Sequence, residues 1–194
     1  MTPHDDVVMF VGGIKGARSV LTEKIASTES ELKSALGRRD DSEKALVVVR
    51  EVANKVQREL EVQISDLVTT ALDIVFPGEY EFNMEFKVSR GKTEVELSLI
   101  DKDGGKILPM DGVGGGVVDV CSFALRLACI NLSKAERVLI MDEPFRFVSK
   151  DRQEMVGVML KKLCDELDVQ VLMVTHEEGY ADLADNTIHL PTGE

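Results

Sequence analysis

At 194 residues with 44% hydrophobic side chains, the chain can bury one sizeable core and still carry extended structure. No apolar run approaches the roughly 20 residues of a membrane span, and MTPHDDVVMF lacks the basic segment and long apolar stretch of a secretory signal. A net charge of -12, from 23 basic and 35 acidic residues, argues against a stand-alone nucleic-acid binder, because phosphate neutralisation supplies much of that affinity.

The expectation is a cytoplasmic protein with no membrane partner. Cys121, Cys129 and Cys164 form no C-x-x-C pair and are expected to be reduced, mostly buried thiols. Residues 1–17 form a short leader containing VGGIKGARS, and residues 18–75 are a helical zone. Counting sevens from Ile25 gives Leu32, Arg39, Leu46, Ala53, Leu60, Leu67 and Ile74, so the series is apolar at seven of eight positions. The companion series from Leu21 is mixed, through Thr28, Ala35, Ser42, Val49 and Val56. A seven-residue repeat among charged neighbours indicates a coiled coil, or a long amphipathic helix packed on its own domain. Within it, Gly37 reads as a C-cap and Asp40-Asp41-Ser42-Glu43 as a new N-cap, which predicts a helical hairpin turning near residues 37–41. The heptad phase nevertheless continues unchanged through that stretch.

From residue 76 onward strand and helix patterns alternate. Tyr80, Phe82, Met84, Phe86 and Val88 alternate along one face, as do Val95, Leu97 and Leu99, with SRGK between the two runs. This is a β-hairpin, with a short third strand expected at Ile107-Leu108. GVGGG then leads into an apolar helix, VVDVCSFALRLACINLS, followed by strand VLIMDE, helix KDRQEMVGVMLKKLCDEL, strand VQVLMVTH, short helix EEGYADLAD and a last strand TIHL. Helix-strand-helix-strand order implies a parallel sheet covered by helices, an α/β fold.

Two strand ends and one glycine run carry chemistry. Val138-Leu139-Ile140-Met141 delivers Asp142 and Glu143 to a carboxyl edge, where one acid can hold a magnesium ion and the other polarise an attacking water. The unremarkable alternative is a pair of exposed acids before the turn at Pro144. Thr175-His176 ends the next strand, and His176 reaches the same edge if the two strands are parallel neighbours. Gly114-Gly115-Gly116 opens a helix, where free N–H groups favour phosphate; a flexible connecting loop would look the same. The phosphate-binding pattern G-x-x-x-x-G-K-[ST] does not occur; GGIKGARS has three residues between Gly12 and Gly16 and Ala17 where lysine is required.

The order of these features resembles the carboxy-terminal half of SMC/SbcC-type ABC ATPases, which act in double-strand-break repair and include phage recombination proteins. The resemblance spans about residues 45–190. It implies an ABC ATPase carboxy-terminal lobe at residues 76–194, preceded by the coiled-coil or helical-hairpin segment. It implies that VLIMDEP is the Walker B strand, with Asp142 as the magnesium residue and Glu143 as the catalytic acid. His176 corresponds to the H-loop histidine, and RFVSKD to the D-loop, with Ser149 and Asp151 near nucleotide. VGGGV corresponds to the signature loop through Gly114, Gly115 and Gly116. This loop departs from the family, with Gly114 where serine is usual and Val117 where Glu or Gln is usual; in the D-loop, Ser149 stands where Asp is common.

The implied cofactors are ATP and Mg2+, both dependent on a partner lobe carrying the P-loop. The implied partners are that lobe or a second ATPase head, a nuclease of the SbcD type, and DNA reached through the complex, in a dimer or hetero-complex. The competing expectation is a catalytically inactive interaction protein that docks on, or inhibits, a repair ATPase.

Overall fold

The computed structural model describes residues 3–109, 112–133 and 136–189. They divide into two compact units, Met1–Lys55 and Val56–Glu194.

The first unit lies within helix α1, which runs unbroken as Pro3–Val75 over 73 residues. The leader is therefore helical from Pro3, and no hairpin turn forms at residues 37–41. The capping signals at Gly37 and Asp40 are outweighed. A lone glycine costs a helix only about 1 kcal/mol against alanine, and the supposed cap acids instead make i,i+4 pairs, Lys44–Asp40 at 2.7 Å and Arg39–Glu43 at 3.4 Å.

In the second unit the end of α1 enters the core through Ile64, Val68, Ala71, Leu72 and Val75. Strands β1 (Tyr80–Ser89), β2 (Lys92–Asp101) and β3 (Lys106–Ile107) form an antiparallel sheet in that order. The third strand thus sits one residue earlier than its sequence position suggested. The register pairs Phe82 with Leu99 and Met84 with Leu97, which puts the alternating apolar residues on one face. That face is buried at Phe82, Met84 and Leu99 and becomes exposed at Val88, beside the hairpin tip.

The free edge of β1 is covered by α1. Phe82, Met84 and Phe86 donate their backbone N–H groups to Thr69 Oγ1 (3.0 Å), Ser65 Oγ (3.2 Å) and Glu61 Oε1 (2.6 Å). Side chains four apart on the helix climb about 6 Å and alternate strand residues about 6.8 Å, so the two ladders stay in step.

Helix α2 (Gly115–Leu132) is long and apolar enough to cross a membrane, but it buries Val117, Val120, Phe123, Ala124 and Leu127 in this core. Strand β4 (Val138–Asp142) pairs in parallel with β5 (Gln170–Val174), and α3 (Gln153–Leu167) links them after a short 3-10 turn, Lys150–Arg152. Asp168, with φ 52°, ends α3 and reverses the chain into β5. Arg152 ties α3 to the end of α1, donating to the Val75 carbonyl (2.9 Å) and Glu79 (2.8 Å) and lying 4.6 Å over the Phe76 ring.

Four further expectations are corrected. The parallel sheet has two strands among the described residues and is covered on one face only. The expected helix after β5 is a 3-10 segment, Glu178–Leu183, and residues 187–189 form no strand; Leu190 lies outside the described residues. The cysteines are free but not mostly buried: Cys121 is buried, Cys164 half-buried and Cys129 exposed. Burial pushes the Cys121 thiol up to about 12 and Cys164 to about 11, so neither is a ready nucleophile.

Candidate functional site

Strand β4 ends in Asp142, which is exposed, and the next residue turns sharply. Glu143 has φ 45°, a left-handed conformation that is strained for a side chain of this size. Its backbone N–H still donates to the Val174 carbonyl at 2.9 Å, extending the parallel ladder by one bond. The turn delivers the Glu143 carboxylate to the end of β5. Oε1 accepts from the His176 backbone N–H (2.9 Å) and lies 2.8 Å from His176 Nδ1, while Oε2 accepts from Thr175 Oγ1 (3.2 Å). The Thr175 hydroxyl in turn accepts from the Glu177 N–H at 3.2 Å.

Adjacent acids thus take different directions because the second leaves the strand conformation. The His176 ring beside it holds the Glu143 carboxyl below its ordinary value, against a smaller opposing push from desolvation. The same contact raises His176 above 6.5, since the carboxylate favours the imidazolium. The edge therefore presents a charge-assisted acid–imidazole pair, with Asp142 one residue upstream.

The glycines have a demonstrable packing role. A Cβ at Gly115 would lie 2.8 Å from Phe147 Cβ, and one at Gly116 would lie 2.9 Å from the Phe147 carbonyl oxygen, whereas Gly114 faces open space. Gly114 caps α2, its carbonyl accepting from Val117 (3.0 Å) and Val118 (3.4 Å). Gly115 and Gly116 let the start of α2 close onto the segment after β4. Asp119 of α2, just past its first turn, completes that contact by accepting the Phe147 N–H at 2.9 Å. Burial raises the Asp119 carboxyl, against the opposing effect of that hydrogen bond.

Ser149 precedes the 3-10 turn and Asp151 lies in it. The Ser149 hydroxyl beside Asp151 holds its carboxyl below the ordinary value. Tyr180 is buried with its ring 6.2 Å from Phe145; its hydroxyl has no hydrogen-bond partner among the described residues, and burial pushes it up to about 12.

The structure joins Glu143 to His176 and the glycine run to the segment leading to Ser149. Sequence reasoning did not single out Thr175 as a partner of Glu143, although it precedes His176 on the same strand end. Asp119 was also missed; an acid shortly after a glycine run was the available signal.

Among the described residues no group of three or more His, Cys, Asp or Glu side chains could enclose a metal ion. Asp142 offers one exposed carboxylate, a donor type that magnesium takes without such a cage. That ion keeps several waters and is usually held by one or two carboxylates together with substrate phosphates.

No family model matches the chain. It is 32% identical over 118 residues to the molybdenum import ATP-binding protein ModC of Methylococcus capsulatus, covering 57% of this chain and 32% of that protein. The chain thus spans about a third of the length of this curated relative.

Among solved structures it is similar to one described for ATP-driven dimerization and DNA-stimulated activation of SMC ATPases. That match has TM-score 0.57 and 16% identity, and covers 73% of this chain and 83% of the other. The Smc head domain with coiled coil and joint from Pyrococcus yayanosii matches with TM-score 0.54 and 16% identity, covering 71% of this chain and 26% of that one. An SmcHead bound to the C-winged helix domain of ScpA matches with TM-score 0.51 and 16% identity, covering 63% and 36%. The fold is therefore similar to that of SMC head domains.

Proposed function

We propose that this chain is the carboxy-terminal lobe of an SMC/SbcC-type ATPase, contributing half of a composite ATP site. The observation that carries this reading is the Glu143–His176 contact at the carboxyl edge of parallel strands β4 and β5, with Asp142 at the adjacent strand end. Asp142 is the residue to hold Mg2+ with the phosphates of ATP. When bound, the ion neutralises charge on the transferring phosphoryl group. Glu143 orients and deprotonates the attacking water, and His176 fixes the Glu143 carboxylate and donates toward phosphate through its remaining ring nitrogen. Gly114, Gly115 and Gly116 offer backbone N–H groups to phosphate, and Ser149 and Asp151 lie on the nucleotide side of the D-loop.

The bare face of the β4–β5 sheet supports the half-site reading. Val138, Ile140, Leu172 and Val174 are 45%, 70%, 55% and 53% exposed. Water contact at four such side chains is unfavourable in a finished enzyme and suits a surface completed by a P-loop lobe. That lobe comes from another polypeptide or from elsewhere in a longer protein. The complex works in the cytoplasm on DNA ends, with a nuclease of the SbcD type.

A second reading is a catalytically inactive partner of a repair ATPase. It is favoured by Val117, which is 4% exposed and so turns an apolar side chain into the core where the family usually has Glu or Gln.

ATP turnover separates the two readings. The neighbouring open reading frames are searched for G-x-x-x-x-G-K-[ST], and the encoded lobe is added to this chain. The first reading expects negligible hydrolysis by either alone, hydrolysis by the mixture, and a loss of about a hundredfold or more on Glu143→Gln. Hydrolysis by this chain alone, or a mixture indifferent to Glu143→Gln, contradicts it.

A further inference from the structure

Glu143 needs a restraint that the strands alone do not supply. Its φ of 45° costs free energy in a residue with a side chain, and such conformations persist only where the surroundings over-determine them. On the amino side, the bond from the Glu143 N–H to the Val174 carbonyl fixes the chain at 2.9 Å. If Glu143 relaxed, it would continue the extended strand and carry its carboxylate away from the end of β5. Holding the turn requires a second fixed point on the carboxyl side.

The next residues provide it. Phe145 is 2% exposed, with its ring 5.4 Å from that of Phe123 on α2. The Val148 N–H donates to the Phe145 carbonyl at 3.1 Å, closing a turn over residues 145–148. Phe147, inside that turn, is 62% exposed, so its side chain contributes little burial. Its backbone is held instead, by the bond from the Phe147 N–H to Asp119 Oδ2 at 2.9 Å. Gly115 and Gly116 permit this approach, but close packing sets only the nearest distance, whereas a hydrogen bond also sets direction.

Asp119 has no direct part in the reaction proposed above. It is half-buried, and burial of a carboxylate is unfavourable unless hydrogen bonds offset it. An ionised acceptor in turn makes the stronger bond to a backbone N–H. Burial raises the Asp119 carboxyl, and the Phe147 bond and the Arg146 charge both oppose that rise.

We propose that Asp119 is a positioning residue for Glu143: by fixing Phe147 it holds the left-handed turn at Glu143 and keeps that carboxylate on His176. The acid–imidazole contact belongs to the chain itself; only the consequence for ATP turnover rests on the proposed function.

The first measurements use the full chain without nucleotide. In the wild type, exchange of the Phe147 amide should be slowed about tenfold or more relative to an unprotected amide, despite the exposure of this residue. Asp119→Leu keeps the side chain's shape and removes the acceptor. It should lower the midpoint of the His176 imidazole titration to that of Glu143→Gln, as should Asp119→Ala. Asp119→Asn, which keeps an acceptor oxygen, should restore the wild-type midpoint. A general loss of stability would not move the midpoint of the folded chain. Fast Phe147 exchange, a His176 midpoint unmoved in Asp119→Leu, or failure of Asp119→Asn to restore it overturns the proposal.

With a P-loop lobe added, Asp119→Leu should lower kcat about tenfold or more and change KM by less than about twofold. Unchanged turnover in that variant also overturns the positioning role. A mixture in which the wild-type chain fails to hydrolyse ATP counts against the ATPase reading instead, and the His176 midpoints then decide the role of Asp119.

Discussion

The two sheets of the second unit obey the same strand chemistry and end differently. The antiparallel sheet buries Phe82, Met84 and Leu99 on one face and carries a charged network on the other, where Lys87 bridges Glu85 at 3.3 Å and Glu96 at 2.7 Å and Lys106 also meets Glu96. The β1 edge is bonded by Glu61, Ser65 and Thr69. The parallel pair packs Met141, and more loosely Leu139, Val171 and Met173, against the core, yet its other face is also apolar and stands open. One sheet is apolar on its buried face alone, and the other is apolar on both faces and buried on one. The sheet with the open face carries the acid–imidazole pair.

This difference should appear most strongly in stability. Phe82→Ala removes a ring that is 2% exposed from the antiparallel sheet and should cost about 3–5 kcal/mol in chemical denaturation. Ile140→Ser on the open face, at 70% exposed, should change stability by no more than about 0.5 kcal/mol and reduce aggregation. A loss at Ile140 equal to that at Phe82 would mean that the open face is covered in solution, by a second copy or by another part of the protein.

A smaller effect concerns pH at the strand edge. The Glu143 carboxylate raises His176, so the bond's contribution is complete below about 6.5 and is lost as pH rises through the higher folded-state value. Glu143 is held down, so its contribution is complete above about 4.5 and is lost as pH falls through the lower folded-state value. The imidazole resonances of His176 should titrate above the ordinary histidine value, and the midpoint should fall in Glu143→Gln. An unmoved midpoint would separate the two side chains in solution.

Much of this was legible in the sequence, and the exceptions have physical causes. Period-two alternation identified the face of Phe82 and Met84, and the order of apolar runs placed Glu143 and His176 on one edge. The open face was not legible. Val138-Leu139-Ile140-Met141 reads as a strand apolar on both sides, whether the covering layer belongs to this chain or to another. The hairpin expected at Gly37 failed because local capping residues were weighed above the i,i+4 pairs that continue the helix. The contact of Gly115 and Gly116 with Phe147 was hidden as well, since close packing and phosphate binding call for the same residue.

In the proposed function, β4 and β5 are half of a sheet completed by a P-loop lobe. Amide hydrogen exchange across the chain, with and without that lobe, tests it most directly. Marked slowing is expected in Val138–Asp142 and Gln170–Val174 on addition of the lobe, with Tyr80–Ser89 and Lys92–Asp101 unchanged. Equal exchange in β4 and β5 with and without a lobe that supports ATP hydrolysis would contradict it.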